Sequence, residues 1–135
     1  MKRSTIQRDA ILAALRSAGR PLSPAEILEL ARRRVPSLGQ ATVYRAIAAL
    51  VEAGDLAAVN LPGQPPRYET REAASTHHHH FHCDHCGRVF DVAGCPGGLD
   101  RLAPKGFAVR RHEVVLYGVC GGCGEKGIQD SGLRT

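Results

Sequence analysis

His77-His78-His79-His80-Phe81-His82-Cys83-Asp84-His85-Cys86 is a run of histidines that enters a CxxC pair, and a second pair, Cys120/Cys123, follows downstream. Two thiolates separated by two residues can grip one zinc ion from a single tight turn, so two such turns brought together complete a closed tetrahedral site. Cys83, Cys86, Cys120 and Cys123 are therefore expected to hold a structural Zn(2+). The histidines are a second store of ligands, and imidazole suits zinc, iron, nickel or copper in exchangeable sites. The second half of the chain is thus predicted to be a small domain in which one metal holds the fold and another can be exchanged.

Upstream of this run the pattern is helical. Ser4-Thr5-Ile6-Gln7 has capping-box spacing, Ile11 and Leu15 then share one face, and Gly19 and Pro21 end the helix. Ser23-Pro24-Ala25-Glu26 repeats the device with proline at the first helical position, ahead of an Ile27, Leu30 and Ala31 stripe that Val35-Pro36 stops. A third helix is predicted from Gln40 to Ala53, with Val43, Ile47, Leu50 and Val51 inward and Gly54 as its cap. Leu56 to Leu61 and Arg67 to Thr70 read as strands around the turn-rich Pro62-Gly63-Gln64-Pro65-Pro66. Three helices and a two-stranded wing make a winged helix-turn-helix over residues 1–72. Arg71 to Thr76 has neither an apolar stripe nor strand alternation, so 73–76 is predicted as a hinge. From 77 to 135, Phe81-His82-Cys83, Val89 to Val92 and His112 to Tyr117 read as strands, with a short helix near Leu99 to Ala103. The fold class is α+β.

At 135 residues each domain is near the size at which a hydrophobic core alone gives little stability. The net charge is +5, and residues up to Glu72 carry +4 of it, which points the first domain toward a polyanion, double-stranded DNA being the usual one. There is no apolar run long enough to span a bilayer and no signal-peptide pattern in Met1-Lys2-Arg3-Ser4, so a cytoplasmic protein with no membrane partner is expected. In a reducing cytosol paired cysteines serve as metal ligands rather than disulfides. An enzyme is not expected. A zinc hydrolase or deaminase needs three protein ligands, an open position and a general base, and Glu113 beside His112 is the only candidate base, with no HExxH or HxE-PCxxC arrangement. A plain zinc-ribbon scaffold would explain the cysteines but not Tyr44, Arg45 and the clustered histidines.

Taken in order, Thr5-Ile6-Gln7-Arg8, Leu38 to Arg45, Arg67-Tyr68-Glu69, the His77 to Gly87 cluster and Gly106-Phe107 through His112 to Cys120 resemble the Fur family of bacterial metal-responsive repressors. The resemblance covers nearly the whole chain. It implies a homodimer in which each winged helix-turn-helix domain is followed by a small αβ dimerisation domain with a structural zinc site. For DNA, the third helix is the recognition helix because the second element of a helix-turn-helix enters the major groove. Its Tyr44 and Arg45 match the family's base-contacting pair, the ring suited to thymine methyls and the guanidinium to a guanine edge or phosphate. Arg3, three residues before the predicted helix, aligns with the basic position that the family uses in the minor groove.

By position, the resemblance implies regulatory ligands Glu69, His78, His80 and Asp91, a mixed nitrogen and oxygen set. Glu69 belongs to the wing and the others to the second domain, so a metal held by all four would fix the two domains relative to each other and restore the spacing that a two-half-site operator requires. The chain departs from the family at Pro21, where many members supply a further histidine; coordination of four suits zinc better than iron(II) or manganese. His82 shares the alternation of His78 and His80 and could compensate. A second family site would combine His77, His79, His112 and an acid that falls at Cys95, or at Asp100 if a gap intervenes. Cys95 is then either a ligand, again favouring zinc, or a small residue opening a shortened helix. The expected function is a zinc-sensing repressor of metal-homeostasis genes, Zn(2+) being favoured over Fe(2+) or Mn(2+). The alternative is an iron- or manganese-loaded sensor of iron supply or peroxide, for which the resemblance implies that Asp rather than Glu at Asp91 is the supporting residue.

Overall fold

Ala10, Ile11, Ala14 and Leu15 recur at helical spacing, and the helix they imply, α1, spans Arg3–Ala18 with these residues buried. The computed structural model describes residues 3–125. Ser4 does not cap α1 as the sequence predicts. It lies inside the helix, and so does Arg3, which is therefore a first-turn residue rather than part of a preceding arm.

The second capping box forms. In α2 (Pro24–Ala31) the Glu26 N–H donates to Ser23 Oγ at 3.2 Å and the Ser23 N–H donates to Glu26 Oε1 at 3.0 Å. Arg20 Nη2 lies 3.0 Å from the other carboxylate oxygen of Glu26. Burial pushes the Glu26 carboxyl up, but the Ser23 N–H and the Arg20 guanidinium outweigh it, so the net displacement is downward. This contribution to stability is present above the ordinary carboxylate range and is lost as pH falls through the depressed value. Ser23→Ala is expected to cost about 1 kcal/mol, read as a lower urea midpoint with unchanged slope.

Helix α3 spans Gln40–Glu52 and buries Val43, Ile47 and Leu50. Gly54, at φ +84°, reverses the chain, and the Asp55 N–H reaches back to the Leu50 carbonyl at 2.8 Å. Val51, predicted inward, is exposed, because it sits a further 100° around the helix from Leu50, beyond the edge of the buried stripe. Strands β1 (Leu56–Val59) and β2 (Arg67–Thr70) pair antiparallel, and Leu22 and Tyr68 exchange backbone hydrogen bonds at 3.0 and 2.9 Å on the far side of β2. A continuous core joins these elements through Ile11, Leu22, Ile27, Val43 and Leu56. The segment predicted as a hinge is partly helical: α4 spans Arg71–Ala74 and is capped by Thr70 Oγ1, which accepts the Ala73 N–H at 3.2 Å. The chain divides into two compact units between Thr76 and His77.

The second unit is a three-stranded sheet. Strand β3 (His79–Cys83) is central, antiparallel to β4 (Val89–Val92) and parallel to β5 (Val115–Gly118). A 3₁₀ turn over Leu99–Leu102 lies where a short helix is predicted, and α5 spans Gly121–Glu125. The strand predicted from His112 begins only at Val115, because the Val114 N–H is diverted from the ladder to the His79 ring, donating to Nδ1 at 3.2 Å. Among the described residues of this unit, Val89 is the only buried aliphatic side chain, and the other buried apolar groups are Cys83 and Cys123. Such a core needs a staple. Among the described residues no helix is long and apolar enough to cross a membrane.

Candidate metal centres and nucleic-acid interface

The parallel pairing of β3 with β5 explains how the cysteines meet. Parallel strands end on the same side of a sheet, and the register sets Cys83 beside Gly118, so the CxxC turn that leaves β3 and the one that follows β5 emerge together. Gly87, at φ +77°, closes the first turn, its N–H donating to the Cys83 carbonyl at 2.9 Å. Cys83 Sγ is 3.8 Å from Cys123 Sγ and Cys86 Sγ is 3.9 Å from Cys120 Sγ. Four sulfurs around zinc at Zn–S bonds of about 2.3 Å stand ~3.8 Å apart on the edges of the tetrahedron, so the spacing fits the ion. Burial opposes ionisation of Cys83, yet the Cys86 and Cys120 N–H groups, at 3.4 and 3.3 Å, bring its thiol down to about 6. Burial and the neighbouring sulfurs push Cys123 up to about 12. Cys83 is thus ionised more readily than Cys86 or Cys123.

Strand alternation deals the histidines into two sets. On one face of the sheet, His80 faces Asp91 across the β3–β4 ladder, and His78 and His80 Nε2 lie 3.5 and 3.6 Å from the same Asp91 oxygen. Nitrogen and oxygen ligands at about 2.1 Å from zinc would be ~3.4 Å apart in a tetrahedron, close to what these three residues present. His82 does not join them: its Nδ1 is 3.7 Å from Asp84, and its ring stands edge-on to Tyr117 at 5.8 Å. Glu69, the remaining residue of the implied set, is a buried member of β2 in the first unit.

The odd-numbered histidines make the second set. His77, His79, Cys95 and His112 bring their ligand atoms within 4.8 Å of one another. His112 Nε2 is 3.2 Å from both His77 Nε2 and Cys95 Sγ. Asp100, the gapped alternative to Cys95, stays in the 3₁₀ turn and is not a member. Burial, then the rings of His77, His112, His78 and His80, hold the His79 imidazole below its ordinary value, which keeps it neutral and able to ligate. Its Nδ1 accepts the Val114 N–H, and its Nε2 is buried without a hydrogen-bond partner. Ligation through Nε2 places the ring proton on Nδ1 and requires the Val114 amide, just outside β5, to turn away.

On the first unit the open face of α3 carries Ala41, Tyr44, Arg45, Ala48 and Ala49. Tyr44 is 50% exposed on this face. Arg45 Nη2 is 3.3 Å from Thr42 Oγ1, and Arg3, Arg8 and Arg45 border a groove of about 490 Å³ between the start of α1 and α3. The small alanines would let a groove of nucleic acid approach the helix closely. Arg32-Arg33-Arg34, absent from the expected DNA contacts, are three exposed cations in the turn after α2, and the run of three is their signal in the sequence. Arg32 is partly committed, its Nε donating to the Leu38 carbonyl at 2.8 Å.

The sequence pattern of the family described as "Ferric uptake regulator family" matches residues 2–117. The chain is 28% identical over 127 residues to the ferric uptake regulation protein of Bacillus subtilis, covering 90% of this chain and 85% of that one. It is 29% identical over 128 residues to the peroxide operon regulator of the same organism, covering 92% and 86%. Among solved structures, a zinc-bound manganese uptake regulator matches with a TM-score of 0.75 at 26% identity, covering 89% of each chain. Relatives of nearly equal similarity are named for ferric uptake in one case and for a peroxide operon in the other, so identity does not choose between them.

Proposed function

The chain belongs to the Ferric uptake regulator family of metal-responsive transcriptional regulators, and we propose that the metal it reports is zinc. Members of this family are DNA-binding dimers, not enzymes. The observation that carries the zinc reading is the spacing of His78 and His80 Nε2 about one Asp91 oxygen, 3.5 and 3.6 Å, which suits the tetrahedral count that zinc tolerates better than iron(II) or manganese. Pro21, in the place where a further histidine would raise the ligand count, acts in the same direction. In this reading His78, His80 and Asp91, joined by Glu69 of the wing, hold the sensed ion, and the four cysteines hold a permanent zinc. The ion's contribution is a positive centre that both units bind, so the DNA-competent placement is favoured. Apolar Leu116 and Tyr117 on the edge strand β5 are exposed and suit the second copy of a dimer, which presents two α3 helices to two half-sites. Asp91 supports a second reading, an iron-loaded peroxide sensor.

The test is titration of the protein carrying its four-cysteine zinc with Zn(II), Fe(II) and Mn(II), read by binding to an operator fragment. Stimulation by zinc at the lowest free concentration supports the proposal, and stimulation by iron(II) or manganese at lower concentration overturns it. For DNA, Arg45→Ala is expected to cost roughly 1–3 kcal/mol on the operator and less on random sequence. Equal losses on both would reassign Arg45 to the phosphates. Affinity should also fall steeply as salt rises, through counterion release.

A further inference from the structure

The second cluster contains a group that reversible metal sensing does not require. Cys95 lies in the Gly94-Cys95-Pro96-Gly97-Gly98 loop that follows β4, exposed, with its Sγ 3.2 Å from His112 Nε2. A separate observation marks the same place as a ligand site: His79 is 3% exposed, and its Nε2, which can ligate once the Val114 amide turns away from Nδ1, has no hydrogen-bond partner. We propose that this cluster is a zinc site locked by the Cys95 thiolate and opened by a peroxide, which oxidises that sulfur and releases the ion. The proposal rests on the reading that the second cluster binds metal at all.

The chemistry follows from accessibility. In the four-cysteine centre Cys83 and Cys123 are buried and Cys86 alone is exposed, so three sulfurs would still hold the ion after attack there, whereas in the second cluster the single sulfur is exposed. A thiolate is the nucleophile toward hydrogen peroxide, so attack by Cys95 forms an S–O bond and breaks the peroxide O–O bond. The sulfur loses two electrons, the peroxide is reduced, and hydroxide leaves and takes up a proton to become water; Cys95 becomes a sulfenic acid. The product lacks the negative charge on sulfur that held the ion, and three neutral imidazoles remain. The cluster contains no second cysteine that could close a disulfide, so recovery needs an external thiol.

The experiment uses the full chain with zinc in its four-cysteine centre. Cobalt(II) added as a further equivalent should give thiolate-to-metal charge-transfer absorption in the wild type, which Cys95→Asp and Cys95→Ser both lose. With zinc in the same place, peroxide should release the ion to a chromophoric chelator roughly tenfold faster from the wild type than from Cys95→Asp, and a sulfenic-acid trap should mark Cys95 by mass spectrometry. If His112→Ala binds as much cobalt as the wild type and shows the same spectrum, the cluster is not a metal site and the underlying reading falls. If cobalt binds in a His112-dependent way without charge-transfer absorption, the cluster stands and the lock is overturned. Release at equal rates from wild type and Cys95→Asp, or trapping at Cys86 or Cys120 before Cys95, overturns the peroxide step.

Discussion

Replacing Cys83 with serine should strip the zinc from the four-cysteine centre and unfold the second unit with it. Structural zinc in small domains binds with roughly 10–16 kcal/mol of apparent free energy, as large as the whole stability of a typical domain, about 5–15 kcal/mol. Here the alternative source of stability is thin, because Val89 is the only buried aliphatic residue among the described residues of that unit. Cys83 is the cysteine to choose. It lies at the end of the central strand, is fully buried, and accepts the N–H groups of Cys86 and Cys120, which a serine oxygen can still accept, so the substitution removes the metal ligand and little else. Metal analysis, circular dichroism and sedimentation should show zinc content, sheet structure and dimer lost together. A folded dimer without zinc would remove the metal from the fold. Because thiols surrender protons on binding, zinc affinity in the wild type should rise with pH, and burial, which raises the Cys123 thiol, prolongs that rise beyond the ordinary thiol range.

That centre was legible in the sequence because CxxC spacing is a local geometric fact. What the sequence could not display is that β3 lies parallel to β5, since adjacency of strands far apart in the chain is decided by the fold. The split of the histidines into even and odd sets was half visible: alternation follows from strand geometry, but which partners await on each face depends on β4 and on the loop that carries Cys95 and His112. Cys95 reads equally as ligand or as filler in the sequence, and the fold sets its sulfur 3.2 Å from His112 Nε2. Local rules failed where neighbours overrode them. Ser4 has cap spacing but lies inside α1, and His112 to Val114 have strand composition but yield a backbone donor to the His79 ring. The first unit was the easier half because its stripes at helical period are long and its turns carry Gly54 and Pro24 where the geometry needs them.

His80→Ala should leave the protein folded, dimeric and loaded with its four-cysteine zinc, yet abolish the stimulation of operator binding by added metal. His80 is placed for this by register. It faces Asp91 across the ladder and shares its carboxylate oxygen with His78, so removing the ring takes one nitrogen out of a set that has few to spare. Its Cys83 end of the strand is untouched, which is why the structural centre should survive. Allosteric coupling of about 1–3 kcal/mol is typical, so the wild-type operator affinity should change by roughly 5–150-fold between metal-free and metal-loaded forms, and the variant's should not change. Linkage sharpens the test, because DNA must tighten metal binding in the wild type by the same factor and in His80→Ala by none. Glu69→Ala probes the proposed partner on the wing. It is expected to leave His78, His80 and Asp91 able to hold metal more weakly while breaking the link to DNA, since a ligand with no differential affinity for two arrangements shifts neither. If His80→Ala still responds to metal with the wild-type factor, sensing belongs to the odd-numbered set, and His77, His79, Cys95 and His112 are the residues whose substitution must then silence the response.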